Sequence, residues 1–178
     1  MRSYQYEHRE GVHPISWEEF ATLSGRVAEA LAGHGIEAVV GIARAGLFPA
    51  TAIACTLRCE LYPARVTRRV MDQVTQGTPV WRVPVSHDVV GKVVAVVDEI
   101  ADTGETLRMV AQRVRDLGAT RVVTACLVHH SWANPVPDVA ALVTDALVIF
   151  PWDREDFMDG RWQPHPETVA ALKAQGKQ

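Results

Sequence analysis

The stretch Val93 to Leu107, VVAVVDEIADTGETL, decides the fold class of this 178-residue chain. It begins with a valine-rich apolar run, Val93 to Val97, which predicts a strand buried on both faces of a parallel sheet. The acidic pair Asp98-Glu99 follows, and a turn containing Thr and Gly then leads into a helical pattern from Glu105 to Leu117, closed by Gly118. The stretch therefore predicts a strand, a loop and a helix, the repeating unit of parallel α/β sheets.

The segments on both sides continue this alternation. Upstream, Ser16 and Glu19 are spaced as a capping box that opens a helix. Apolar periodicity and breaker residues predict helices at about Trp17 to Ala32, Gly46 to Leu57 and Glu167 to Ala174, and strands at Ala38 to Ala43, Leu61 to Thr67, Arg121 to Val128 and Ala146 to Ile149. The predicted fold class is α/β, with a central, mostly parallel sheet flanked by helices.

Composition excludes several classes of protein. Hydrophobic residues make up 48% of the chain and the net charge is −3. Charges of both signs are interspersed, so we expect no nucleic acid and no membrane as a partner. The N-terminus lacks the apolar core of a secretion signal. We expect one cytoplasmic domain over residues 1–178, with reduced thiols in its core: Cys55, Cys59 and Cys126.

The polar residues of the opening stretch lie at the carboxyl end of a strand, where open α/β sheets bind ligands. The adjacent carboxylates of Asp98 and Glu99 repel each other unless a sugar diol or a divalent cation satisfies them. The loop of Asp102, Thr103, Gly104, Glu105 and Thr106 offers amides and hydroxyls to a phosphate at a helix N-terminus. In the alternative interpretation, Asp102 or Thr103 only caps the helix and the acidic pair lies in a solvated turn. A site for a phosphorylated sugar accounts for the acidic pair and the adjacent phosphate loop together.

VVAVVDEIADTGETL resembles the signature with which type I phosphoribosyltransferases bind 5-phosphoribosyl 1-pyrophosphate (PRPP). Val40 to Pro49, VGIARAGLFP, is similar to the strand and pyrophosphate loop of the xanthine, guanine and hypoxanthine enzymes of that family. Thr67 to Arg69 resembles the start of their flexible catalytic loop, and Phe150 to Asp153 resembles the border of their base pocket. The resemblance covers about Ser16 to Asp153. It implies the phosphoribosyltransferase fold with a small hood, formed by the N-terminal segment and about residues 129–160.

The resemblance implies a role for each matching residue. Asp98 and Glu99 would bind the ribose hydroxyls of PRPP, directly or through Mg²⁺, and Asp102 would act as general acid/base facing N7 of a purine. Thr103 to Thr106 would hold the 5′-phosphate. Pyrophosphate would be bound by Arg44 and Ala45, in a loop whose peptide is often cis in the family, and neutralised by Arg68 and Arg69. Closure of the loop from Arg69 to Pro84 would exclude water.

The base pocket departs from the pattern of the purine enzymes. Its implied members are His130, Leu147, Val148 and Trp152, with His129-His130 near a position where those enzymes have Lys and Leu147 where they have an aromatic ring. Trp152 is the tryptophan expected to meet a ligand, and the other tryptophans, Trp132 included, are expected in the core or an interface. Asp153 is a candidate metal ligand, with a solvated acidic turn as the alternative.

Three functions stay open. The favoured one is a purine salvage enzyme that uses Mg²⁺, consumes PRPP and a purine base, and releases a nucleotide and pyrophosphate. The alternatives are a regulator that binds PRPP or a nucleotide on the same fold, and a phosphoribosyltransferase for a different base. The resemblance also implies a homodimer or a larger even homo-oligomer.

Overall fold

The chain alternates strands and helices in a computed structural model that describes residues 9–67, 69–70, 73–74 and 80–176. Its helices are α1 (Trp17–Ala32), α2 (Leu47–Leu57), α3 (Glu105–Asp116) and α4 (Pro166–Ala174). Its strands are β1 (Val12–Pro14), β2 (Ala38–Ile42), β3 (Glu60–Thr67), β4 (Arg69–Val70), β5 (Gln73–Val74), β6 (Val80–Val83), β7 (Val93–Ala101), β8 (Arg121–His129), β9 (Val139–Val143), β10 (Leu147–Ile149), β11 (Glu155–Met158) and β12 (Arg161–Pro164). The chain divides into a sheet unit, residues 22–143, and a terminal unit, residues 1–21 and 144–178.

The sheet unit is built on strands in the order β6-β3-β2-β7-β8-β9. The strands β3, β2, β7, β8 and β9 pair in parallel, and β6 runs antiparallel to β3 at one edge. This arrangement confirms the predicted class, a mostly parallel sheet flanked by helices.

Helices cover both faces of this sheet, as the strand β2 makes clear. All five of its residues are buried. Val40 faces an apolar cluster that includes Val110 and Val114 of α3. On the opposite face, a Cβ added to Gly41 would lie 2.7 Å from Cβ of Ala50 in α2, so glycine allows that helix to approach closely.

The strand β7 is longer than the sequence predicts. The apolar pattern ends at Val97, but pairing with β8 continues through Asp98 opposite Cys126 and Ala101 opposite His129. Asp98 and Glu99 therefore lie on the strand rather than after it, and the prediction of a strand end at Val97 is wrong. Backbone hydrogen bonds continue a ladder regardless of side-chain polarity, which a hydrophobic pattern cannot reveal.

The terminal unit contains two small sheets. Parallel pairing joins β1 to β10, with Val12 opposite Leu147, and β11 and β12 form an antiparallel hairpin. The helix α1 begins as predicted: Oγ of Ser16 accepts a hydrogen bond of 3.0 Å from the amide of Glu19. The carboxylate of Glu19 also contacts Nε2 of His13 at 2.8 Å.

The sequence does not predict six strands of the structure, namely β1, β4, β5, β9, β11 and β12. Pro135 and Pro137 precede β9, and this proline punctuation resembles that of a loop. The prediction of core thiols holds for the buried Cys126 but is wrong for Cys55, which is exposed on α2.

The division of the chain into one domain with a hood stays a prediction. Among the residues that the structure describes, no helix combines the length and apolar character needed to span a membrane.

Candidate active site

The acidic pair lies at the carboxyl end of β7, in the middle of the sheet. Asp98 is 9% exposed, while Glu99 is half-buried. The amide of Glu99 donates a hydrogen bond of 3.0 Å to Oδ1 of Asp98. Burial raises the pKa of Asp98 well above its usual range, and the neighbouring charge of Glu99 adds to the effect. A carboxylate in this position gains from a cation or from hydroxyl donors.

The thiol of Cys126 lies on the strand next to this pair. Burial raises the pKa of this thiol to about 12, and the charge of Asp98 adds to the increase. Because only the thiolate is a strong nucleophile, Cys126 is a structural residue at neutral pH.

The loop between β2 and α2 approaches Asp98 through Gly46. A Cβ added to Gly46 would lie 2.6 Å from Oδ1 of Asp98 and 2.5 Å from the carbonyl oxygen of Ile42. Arg44, which is exposed, precedes this contact by two residues, and the peptide between Ala43 and Arg44 is cis. The predicted pyrophosphate loop, with Arg44 and Ala45, is thus brought next to the predicted ribose-binding residue.

Gly46→Ala is expected to reduce the free energy of unfolding by about 1–3 kcal/mol, because the added methyl group overpacks the junction of α2 and β7. Its nearest neighbours are a backbone carbonyl and a buried carboxylate, neither of which can move aside without disturbing the sheet. Urea denaturation measures the difference.

The matched control is Gly25→Ala in α1, where a Cβ would meet nothing within 4 Å. This variant is expected to gain up to about 1 kcal/mol from helix propensity. Equal losses in both variants would contradict the close contact between Gly46 and Asp98.

The predicted phosphate loop runs from Asp102 to Thr106, directly after β7. Gly104 is the N-cap of α3, with φ of +79° and no side-chain cap, so neither Asp102 nor Thr103 is the N-cap residue. Oγ of Thr103 accepts only a long hydrogen bond, 3.4 Å, from the amide of Glu105. The interpretation of Asp102 as the helix cap is therefore wrong. The first amides of α3 lie at a helix N-terminus, where backbone N–H groups and the helix dipole favour an anion such as a phosphate.

The segment after β8, residues 130–135, packs against the phosphate loop. The amide of Asn134 donates to the carbonyl oxygen of Thr103 at 3.0 Å. A Cβ added to Gly104 would lie 2.5 Å from the carbonyl oxygen of Pro135, which leaves room for glycine alone. This segment, here called the bracing segment, thereby supports the loop from the side of β8.

Trp132 of the bracing segment contacts the predicted acid/base residue. Its indole Nε1 donates a hydrogen bond of 3.1 Å to Oδ1 of Asp102. The indole also stacks on the ring of His130, with centroids 4.6 Å apart and planes at 17°. Trp132 is 43% exposed, whereas His130 is 2% exposed. The prediction that Trp132 lies in the core or an interface misses this contact, because no local pattern links Trp132 to Asp102.

Comparison with protein-family models identifies the chain. A model described as "Phosphoribosyl transferase domain" matches residues 13–155, which include β7, the phosphate loop and the bracing segment. The chain belongs to the phosphoribosyltransferase family. The predicted recognition is therefore confirmed.

Individual relatives of this phosphoribosyltransferase agree with the family match. A xanthine-guanine phosphoribosyltransferase of Gluconobacter oxydans is 29% identical over 145 residues, covering 78% of this chain and 83% of its own. One of Nitratidesulfovibrio vulgaris is 29% identical over 161 residues, covering 81% and 86%. A crystal structure of a purine phosphoribosyltransferase from Pyrococcus horikoshii superposes with a TM-score of 0.71 at 30% identity, covering 79% of this chain and 93% of that one.

Other predicted site residues of this family member lie in the terminal unit. Leu147 is buried in an apolar cluster with Ile149 and Ala171, and Val148 between them is half-buried. Trp152 stacks on Phe150, with centroids 4.8 Å apart and planes at 4°. Their place in a base pocket stays a prediction.

The remaining predicted residues are placed only in part. Asp153 ends a short 3-10 helix, and its carbonyl oxygen accepts a hydrogen bond of 2.8 Å from Oγ1 of Thr168. Its role as a metal ligand stays a prediction. Arg68 lies outside the described residues. Arg69 is in the two-residue strand β4, and its side chain is likewise outside what the structure describes.

Proposed function

We propose that this protein transfers the phosphoribosyl group of PRPP to a purine base, producing a nucleotide and pyrophosphate. The observation that carries the proposal is the continuous segment from Asp98 to Thr106. It combines the acidic pair with its buried Asp98, the carboxylate of Asp102 and the N-terminus of α3 at the carboxyl end of the central strand. The family match over residues 13–155 and the names of the relatives support the same reaction.

Each part of the segment suits one part of the substrate. The amides at the start of α3 and the hydroxyls of Thr103 and Thr106 suit the dianionic 5′-phosphate, which the helix dipole also favours. Asp98 and Glu99 are acceptors for the ribose hydroxyls. The sugar is thereby held with its anomeric carbon facing the base, which supplies the orientation that a displacement at carbon requires.

We assign the loop between β2 and α2 to the leaving group because this group needs positive charge nearby. Pyrophosphate departs as an oxocarbenium-like sugar forms, so positive charge is needed where the negative charge develops. Arg44 is exposed in this loop, beside the contact of Gly46 with Asp98. We assign Arg44 and the amide of Ala45 to pyrophosphate, with Arg68 and Arg69 as further cations at the start of the catalytic loop.

We assign proton exchange with the base to Asp102. It directly follows β7 as the first residue of the phosphate loop, so its carboxylate lies on the segment proposed to hold the sugar. As one imidazole nitrogen of the purine bonds to the anomeric carbon, the proton on the other, N7, becomes more acidic, and a carboxylate within hydrogen-bonding distance can take it up or return it. A role of His130, Leu147, Val148 and Trp152 at the base is implied by the family resemblance alone.

The donor set fits Mg²⁺. Asp98 and Glu99 supply the hard oxygen ligands that this ion prefers, and a cation would offset the burial and the repulsion from Glu99 that together raise the pKa of Asp98. Within the described ranges, no group of three or more His, Cys, Asp and Glu side chains could hold a metal ion. Substrate oxygens would therefore complete the coordination, as is usual for Mg²⁺ in phosphate chemistry. When bound, the ion supplies positive charge to the diphosphate.

The test is pyrophosphate release from PRPP in the presence of Mg²⁺ and a panel of bases. Turnover is expected with at least one of hypoxanthine, guanine and xanthine, and not with uracil or orotate. PRPP binding without turnover on any base would instead indicate a regulator on the same fold. Turnover restricted to a pyrimidine would keep the family and overturn the purine assignment.

A further inference from the structure

Trp132 connects the bracing segment to Asp102 in a way that the transfer reaction does not by itself require. The hydrogen bond from Nε1 of Trp132 to Oδ1 of Asp102, 3.1 Å long, spans 30 positions of the chain. An indole N–H can only donate, so Asp102 is the acceptor. An indole also does not titrate at working pH. This donor is therefore present at every pH at which the protein is folded.

The backbone of the bracing segment holds Asp102 from both sides. The amide of His130 donates to the carbonyl oxygen of Ala101 at 3.3 Å, and the amide of Asn134 donates to that of Thr103 at 3.0 Å. These bonds attach the segment one residue before and one residue after Asp102. Trp132 lies midway between the two donors and contacts the side chain. The segment therefore follows the backbone of Asp102 and adds a side-chain contact at the same place.

His130 fixes the plane of the indole. Its ring is almost fully buried, and the indole stacks on it nearly parallel. The amide of Ala133 also donates to the carbonyl oxygen of His130 at 3.0 Å, which closes a tight turn around Trp132. A ring supported on one face in this way cannot rotate freely, so its N–H has a defined direction. His130 thus acts as the support for a donor as well as a neighbour of the predicted base pocket.

We propose that Trp132 is a positioning residue of the transfer reaction: its indole N–H holds the Asp102 carboxylate in the orientation that proton exchange with the base requires. This inference rests on the proposed function. Proton transfer is sensitive to the distance and angle of the carboxylate. A small rotation of Asp102 therefore lowers turnover without weakening the binding of PRPP. Trp132 itself need not touch the substrate.

Trp132→Phe tests this role, because phenylalanine keeps a ring to stack on His130 and lacks the donor. The kcat is expected to fall roughly 10-fold, the effect of losing one hydrogen bond to a charged group, with the KM for PRPP unchanged within about twofold. The control is Trp162→Phe on β12, a tryptophan with 67% exposure, which is expected to leave both constants unchanged.

A double-mutant cycle separates positioning from a general structural effect. With Asp102→Asn, Trp132→Phe is expected to cause less than a twofold further loss in single-turnover rate, because the two residues act through one group. The same 10-fold loss in both backgrounds would overturn the inference. An unchanged kcat in Trp132→Phe alone would also overturn it.

The contact has a readout that does not depend on activity. In ¹H–¹⁵N spectra, the indole signal lost in Trp132→Phe is expected to move upfield in Asp102→Ala, while the signal lost in Trp162→Phe stays in place. Trp132→Leu, which also lacks the donor, replaces Trp132→Phe if the latter does not fold. An unmoved Trp132 signal would overturn the positioning role of Trp132 and leave the proposed function standing. A wild type that turns over no base removes the proposed function, and the catalytic role of Trp132 falls with it.

Discussion

Asp102→Asn is expected to lower the rate of transfer by about 10²–10⁴-fold, the usual contribution of a general acid or base. Asparagine has the shape of aspartate and keeps an oxygen that can accept the hydrogen bond from Nε1 of Trp132. The substitution therefore leaves the geometry of the loop intact while it removes the group that exchanges a proton. The affinity for PRPP is expected to stay within about threefold, since the ribose and phosphate contacts of the proposal do not involve this carboxylate.

The measurements are the single-turnover rate with the preferred base and the dissociation constant of PRPP from calorimetry. Asp116→Asn is the matched control, because Asp116 lies at the opposite end of α3 and is exposed. It is expected to react at the wild-type rate. A loss of less than about 10-fold in Asp102→Asn would remove Asp102 from proton transfer.

Asp98→Asn is expected to separate function from stability. The catalytic efficiency with PRPP should fall about 100-fold, because charge-assisted hydrogen bonds to the ribose and a ligand for Mg²⁺ are lost together. The ligand-free protein should nevertheless be more stable at neutral pH than the wild type. A neutral amide removes the charge that burial and Glu99 disfavour at this position.

The direction of the pH dependence follows from the raised pKa of Asp98. The folded chain holds this proton more tightly than the unfolded chain does, so the contribution of Asp98 to stability is fully present below the usual pKa of an aspartate. That contribution is lost as the pH rises towards the raised pKa of the folded state. Thermal unfolding with EDTA and without PRPP should therefore show a Tm that falls more steeply with rising pH in the wild type than in Asp98→Asn.

Asp159→Asn provides the control for this experiment. Asp159 is exposed in the turn between β11 and β12 with φ of +52°, a conformation that asparagine also tolerates. It should leave both the catalytic efficiency and the pH dependence of the Tm unchanged. Asp98→Asn with a Tm below that of the wild type across the neutral range would contradict the cost of burying this carboxylate.

Much of the fold could be predicted because the deciding features are local. The apolar pattern of β7, the helical pattern of α3 and the spacing of Ser16 and Glu19 each lie within one element, and the structure has each of them. The predicted strands are wrong where the polarity of the side chains does not follow the pairing of the backbone. The strand β7 continues through Asp98 and Glu99, and β9 follows prolines that are typical of loops.

The candidate site also combines features that are local in sequence with contacts between distant segments. Asp98, Glu99, Asp102 and the phosphate loop occupy one stretch of sequence, so chain connectivity alone keeps them together. That Gly46 lies against Asp98, and Trp132 against Asp102, depends on which strands are neighbours in the sheet. The segments that follow β2 and β8 meet the carboxyl end of β7 because these three strands are adjacent and parallel.

The sequence by itself therefore determined the class of the sheet, the family and the order of the residues predicted to bind phosphate in VVAVVDEIADTGETL, since all of these depend on the periodicity and spacing of nearby residues. Only the tertiary structure decided that the acidic pair is part of the strand, that Gly46 has no room for a side chain, and that Trp132 holds Asp102. Each of these is a contact between segments far apart in the chain. Its energy depends on distances that packing sets, and no local pattern encodes them.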